Sequence, residues 1–469
     1  ADKVPTMDMD TWEPVLGAGP LLGIAAAAIA LILFLVMRLK LHAFVALIIA
    51  SIFTALAAGI PIDGVMPTLM KGFSSTLGNI ALLVGLGAMI GRLVEASGGA
   101  QSLADALVKR FGEDKAPFAL GLASLIMGFP IFFDAGLIVM LPVIFAVARR
   151  LDGPILAYGI PAAGAFSVMH VFVPPHPGPV AASDFYGADM GLVLLFGLLV
   201  ALPTWYVSGY HWGKYVGKKY PNRVADTLLG DQQQLTHKAA GPGTVIAVML
   251  IPMLLIFGNT GVNALSTSGR IDGGATWART LTFLGQTPIA LLVTVLVAMV
   301  AVGFNLGVPR EEVQARMESA LGPVCSVILI TGAGGMFGGV LRTSGIGDAL
   351  ADSMSNLGIP VLLAAWLIAA ALRIAQGSAT VALTTAAALM VPAVEAGAYS
   401  GVQLALIVLA TAAGSVIASH VNDSGFWLVG RLMGLDVATT LKTWTVNQTL
   451  IAVIGLLLTS VFYGITLVV

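Results

Sequence analysis

The chain has 469 residues, of which 58% are hydrophobic and only 10% charged, with a mean hydropathy of +0.95. A water-soluble fold of this size cannot hide that much apolar surface, which leaves a polytopic helical membrane protein set in a lipid bilayer. The net charge of −1 says nothing about nucleic acid and no basic block suggests it, while a single cysteine, Cys325, excludes an intramolecular disulfide and reads as a small buried apolar residue.

Ala1–Thr6, ahead of Met7, reads as an expression remnant. Leu21–Met37 and Leu41–Ile60 are predicted to span, the first without the basic lead of a cleaved signal. The turn between them carries Arg38 and Lys40, whereas the segment before Leu21 is acidic, with Asp8, Asp10 and Glu13. Basic connectors stay in the cytoplasm, so the N-terminus is expected outside. Asp63–Thr76 reads as an external surface segment, Asn79–Val94 as an inward crossing and Ser102–Phe111 as an amphipathic helix. Residues 117–147 lie between Lys115 and Arg149-Arg150, so both ends are expected in the cytoplasm. Two arms of about a dozen residues, about 18 Å each, reach only about half way across and turn at Gly128–Asp134. This is a predicted re-entrant hairpin. Pro154–Val173 crosses next and meets four prolines within 174–179, which regular helix does not accept, making 154–185 a broken helix. Gly191–Tyr210 returns to the most basic loop, and 211–241 is the expected cytoplasmic linker between a first repeat, 7–210, and a second, 242–469.

In the second half, Thr244–Gly258 and Pro288–Phe304 are predicted spans with a polar loop between them to Gln286. Arg310–Leu321 reads as a surface helix, and Val324–Leu341 crosses outward. The apolar run 360–391 contains Arg373-Ile-Ala-Gln-Gly-Ser-Ala-Thr380, which brings polar groups to mid-membrane depth where a helix continues poorly. With no water to satisfy the backbone, such a stretch must face protein or a cavity, and a second hairpin turning at Gly377 is expected. Residues 403–427 form a second broken helix, interrupted at Ser419–Gly425, and Val446–Leu467 is the last span.

The halves match at one offset, 247 residues. Gly87–Leu107 and Gly334–Met354 share eight of twenty-one residues, and the ungapped shift superposes the two hairpin turns and the two helix breaks, His176 falling on Asp423. The predicted fold is therefore all-α, with two inverted-topology repeats of five transmembrane helices plus one re-entrant hairpin each, both termini outside and the hairpin tips meeting near the midplane.

Freed helix N-termini offer N–H donors and a partial positive charge to an anionic group, with hydroxyl and amide side chains beside them. Gly377, Ser378, Ala379 and Thr380 open the second arm of hairpin two and are the first choice for substrate contact. Phe132 and Asp134 face them from hairpin one; an intramembrane carboxylate takes a proton, binds hydroxyls or pairs with a cation such as Arg373. His176, Asn422, Asp423 and Ser424 join from the broken helices. Asp134, His176 and Asp423 are the candidates for proton coupling. His170 and His420 flank the breaks and read as interior histidines without a role. No cofactor and no metal motif is read; the coupling ion is expected to be H⁺, with Na⁺ as the alternative.

Four strings, Gly128–Asp134, Val173–Pro179, Arg373–Thr380 and Ser419–Trp427, also resemble signatures of the gluconate permease (GntP-type) family of sugar-acid:proton symporters, from about Gly19 to the C-terminus. The resemblance implies a bacterial inner-membrane importer, most often of gluconate. It also implies a homodimer in which a transport domain moves against a scaffold. Relatives in such a family carry other hydroxylated acids or serine, so the ligand stays open. Sodium coupling through Asp134, Asp423 and freed carbonyls is the nearest rival. An intramembrane enzyme lacks any nucleophile–base spacing, and a passive channel does not suit two opposed closed hairpins.

Overall fold

The computed structural model describes residues 12–222, 237–420 and 423–468, and each apolar run read above is helical in it. The first half contains α1 (Ala18–Leu33), α2 (Ala43–Ala57), α3 (Ile62–Ala96), α4 (Gly99–Phe111), α5 (Ala116–Met127) and α6 (Phe133–Arg150). It continues through α7 (Ile155–Phe172), α8 (Pro177–Tyr186), α9 (Met190–Trp205) and α10 (Trp212–Lys219). The second half holds α11 (Pro242–Thr267), α12 (Thr276–Leu284), α13 (Thr287–Ala301), α14 (Arg310–Ser319), α15 (Leu321–Thr343) and α16 (Ile346–Leu357). It ends with α17 (Val361–Gln376), α18 (Ala379–Glu395), α19 (Gly401–Gly414), α20 (Ser424–Leu432), α21 (Val437–Thr440) and α22 (Val446–Thr466). Among the described residues, seven helical stretches are long and apolar enough to cross a bilayer, and the chain is a multi-pass membrane protein.

Four local expectations are corrected. Residues 63–76 are no separate surface segment but the start of α3, which runs unbroken because nothing ends it until Gly98 takes a left-handed φ of 71°. The polar stretch before Gln286 is largely helical, since α11 continues to Thr267 and α12 follows. α19 stops at Gly414, short of Ser419: Ser415 donates its hydroxyl back to Ala412 O, and Ala418 turns to a φ of 48°. Cys325 is exposed on α15 rather than buried, because the helix turns the neighbouring Val324 inward instead.

α7 is the centre of the molecule. All its residues except Ala157 and His170 are buried, packed by α5, α6, α9 and α10. α19 is its counterpart, enclosed by α17, α22, α9 and α8. Helices α3 and α15 cross through glycine: a Cβ on Gly72 would lie 2.3 Å from Gly335 O, and one on Gly335 2.3 Å from Thr76 Oγ1. Removing side chains at this crossing lets two backbones touch, the usual route to tight association where lipid supplies no hydrophobic drive. Helices α4, α6, α7, α8 and their counterparts α16, α18, α19, α20 begin within one residue of the 247-residue offset, and α5 and α17 within two.

Candidate functional site

The polar tips of two helix pairs and the starts of two short helices converge on one cavity of about 820 Å³. At the α17–α18 turn, Gly377 adopts a φ of 83°, which a glycine accepts without a Cβ clash, and its N–H bonds Arg373 O at 2.9 Å. Ser378 then caps α18, its hydroxyl accepting from Val381 N at 3.3 Å. Gly377, Ser378, Ala379 and Thr380 all line the cavity. Opposite them, α5 ends at Gly128 and α6 begins after Phe132, whose side chain lines the cavity with Asp134. Gly91 lets α3 approach this second tip, because a Cβ there would lie 2.7 Å from Pro130 O.

The helix breaks supply the remaining walls. Asp423 caps α20, taking the Gly425 N–H on Oδ1 at 3.0 Å. Its Oδ2 accepts from Arg373 Nη2 at 2.5 Å and from the Ser419 hydroxyl. Arg373 also donates to Gly377 O, so one guanidinium joins the hairpin turn to the broken helix. Both charges are nearly enclosed, at 4% and 8% exposure. Taking such ions out of water costs several kcal/mol each, tolerable only with this set of partners. The sequence reading offered Arg373 to Asp134; the folded chain gives it to Asp423 instead. Asp134 opens onto the cavity and, among the described residues, makes no ion pair.

Ser424 lines the cavity beside Asp423, whereas Asn422 lies outside the described residues. His176 occupies the N-cap of α8 but is 2% exposed and forms no part of the cavity wall. Its Nε2–H donates to Gly128 O at 2.7 Å, tethering the end of α5 to the break after α7. Its ring sits behind Phe132 and 4.8 Å from that of His170. His170, given no role in the sequence, does line the cavity: Nε2 lies 3.5 Å from Thr380 Oγ1, and Nδ1 is buried without a partner. Arg92, Glu95, Ser167 and Gln448 also line it and were missed. Arg373 alone had a signal, a charge inside an apolar run, that ranked it with Asp134.

The set is chemically coherent. One buried cation, one free carboxylate, helix N-termini and hydroxyls suit a small, hydroxylated anion, and the volume falls in the range of small-molecule sites. Residues 20–465 match the family described as GntP family permease. A gluconate permease of Bacillus subtilis is 41% identical, over 93% of this chain and 98% of its own. The inner membrane permease YgbN of Escherichia coli is 38% identical over 94% and 97%, and that organism's low-affinity gluconate transporter 35% over 92% and 95%. Among solved structures, the Alcanivorax borkumensis YdaH transporter superposes with a TM-score of 0.64 at 16% identity, over 91% of this chain and 99% of that one. MtrF of Neisseria gonorrhoeae follows at 0.58 and 14%, over 92% and 94%. These two speak to the fold alone.

Proposed function

The chain belongs to the GntP permease family and is a transporter, not an enzyme, and from that premise we propose that it imports a sugar acid, gluconate first, by proton symport. The convergence of residues 130–134, 377–381 and 423–425 on one cavity carries the reading. The substrate carboxylate meets the positive end of α18 and the hydroxyls meet Ser378, Thr380, Asp134 and Ser424. Phe132 supplies an apolar edge against the sugar carbons. His176 is a positioning residue that holds hairpin one.

Each half provides five spans and one re-entrant hairpin in opposite orientations, within 7–210 and 242–469, with 211–241 as a cytoplasmic linker. The matching helix starts at the 247-residue offset support this, as does the twelve-residue arm α5, although α6, α17 and α18 are longer, at 18, 16 and 17 residues, than the dozen expected of each arm. Alternating access then exposes the site at the tips to either side. The protein sits in the bacterial inner membrane as a homodimer with both termini in the periplasm, in keeping with the acidic N-terminal segment and basic connectors.

A proton is the fitting partner because an anion entering a negative interior works against about 2.3 kcal/mol per charge per 100 mV. One proton cancels that charge on the carrier, and a cavity carboxylate is the chemical place for it. Reconstituted protein is expected to accumulate gluconate under an inward pH gradient and to show counterflow without one. Accumulation that follows an imposed sodium gradient and ignores pH overturns proton coupling, and preference for serine or glycerate over gluconate overturns the substrate.

A further inference from the structure

Resting on that reading and deepening it, we infer that Arg373, whose guanidinium bonds Gly377 O at that same start of α18, is the charged receptor for the substrate carboxylate and that Asp423 holds its place until a proton releases it. The geometry is that of an exchangeable pair. Arg373 lines the cavity, is nearly buried, and has an Nε with no hydrogen-bond partner among the described residues, so its donors are not exhausted by Asp423 and Gly377. A carboxylate arriving from the cavity finds a planar cation suited to bidentate contact. Among the described residues the acceptors on this guanidinium are Gly377 O and Asp423 Oδ2, and the exchange displaces the second.

Asp423 is built to survive losing that contact. Its two oxygens have separate duties: Oδ1 keeps the Gly425 N–H and the cap of α20, while Oδ2 alone faces Arg373 and Ser419. A proton on Oδ2 reverses the bond to Ser419: the serine hydrogen rotates away, and Oγ accepts from Oδ2–H on one lone pair while keeping the Trp444 Nε1–H, at 2.9 Å, on the other. The neutral acid therefore has partners ready, and the cap is undisturbed.

Charge conservation then makes the coupling strict. At this pair the empty site holds one cation and one anion, the other charges of the cavity being the same in both states. The loaded site holds Arg373, a neutral Asp423 and the substrate carboxylate, the same sum. Either half-step, a proton without substrate or substrate without a proton, leaves one buried charge uncompensated, which a site crossing the bilayer does not tolerate. Other titratable groups facing this pair are Asp134 on α6, His170 on α7, Arg92 and Glu95 on α3, and His420, whose ring bonds Ile374 O. None of these bonds Arg373 among the described residues, so none exchanges one anion for another on the same guanidinium.

The test is calorimetry on the purified full chain with gluconate and with its neutral amide, in buffers of different ionisation enthalpy. Wild type is expected to take up about one proton per gluconate and to prefer it to gluconamide by about 30-fold or more. Asp423→Asn should bind gluconate with no proton uptake and a flat pH response, and should exchange gluconate across vesicles without accumulating it. Arg373→Gln, and Arg373→Gln with Asp423→Asn, which leaves a neutral pair in case the single change misfolds, should lose the preference for the acid to within about 3-fold. Wild-type proton uptake in Asp423→Asn, or a retained preference for the acid in the double variant, overturns the assignment. A wild type that ignores gluconate but binds another hydroxy acid with one proton overturns the substrate reading and leaves this one standing.

Discussion

Arg373 on α17 and Asp423 at the start of α20 lie fifty residues apart and meet as an enclosed ion pair on the cavity wall, while Asp134 faces the same space with no ion pair among the described residues. Two aspartates that look alike in sequence, each beside an apolar run, thus hold different positions. One is engaged by a cation; the other is open to whatever the cavity holds.

From this contrast, Asp134→Asn is expected to weaken gluconate binding about tenfold, the loss of one charge-assisted contact of about 1.4 kcal/mol. Proton uptake per bound molecule should stay unchanged. Calorimetry reads both quantities, and loss of proton uptake in this variant would move the coupling site to Asp134.

The cap at Ser378 gives a second expectation. Ser378→Ala removes the acceptor for Val381 N, worth about 1 kcal/mol, together with one hydroxyl in the cavity. Gluconate affinity should fall by about fivefold or more. Ser102→Ala on α4 should stay within about twofold of wild type, being a surface-helix change without a cap to lose. Equal affinities in the two variants would remove the α18 terminus from the site.

Gly377→Ala forces a Cβ into a left-handed φ of 83°, at a cost of about 1–2 kcal/mol. Because the turn orients Ser378 and the Arg373 contact to Gly377 O, transport should fall more than melting temperature does. Wild-type counterflow in this variant would show that the turn tolerates remodelling.

His176→Phe deletes the donor to Gly128 O and leaves that carbonyl bare in the protein interior, costing about 1–3 kcal/mol. The expected result is a lower melting temperature and slower transport whose pH dependence keeps the wild-type shape. A changed pH profile would give His176 part of the proton path.

Much of the site is legible in the residues because its signals are local. A glycine followed by serine inside an apolar run marks a turn and a cap wherever the chain places it, since backbone donors in lipid have no water to fall back on. Four prolines end a helix for steric reasons that no partner changes. The shared offset of His176 and Asp423 likewise places both at helix starts, as observed at α8 and α20.

Composition, most helix runs, the turn positions and part of the list of polar groups on the cavity therefore follow from the chain alone, because they depend on neighbours a few residues away. Which polar groups touch follows from packing. The docking of α17 beside α20 sets Arg373 on Asp423, the break after α7 turns His176 behind Phe132, and His170 is left as the open face of an otherwise enclosed helix. Those outcomes rest on distances between residues 44 to 210 positions apart. Pairing energy falls steeply over a few ångströms, and sequence spacing carries no measure of that distance.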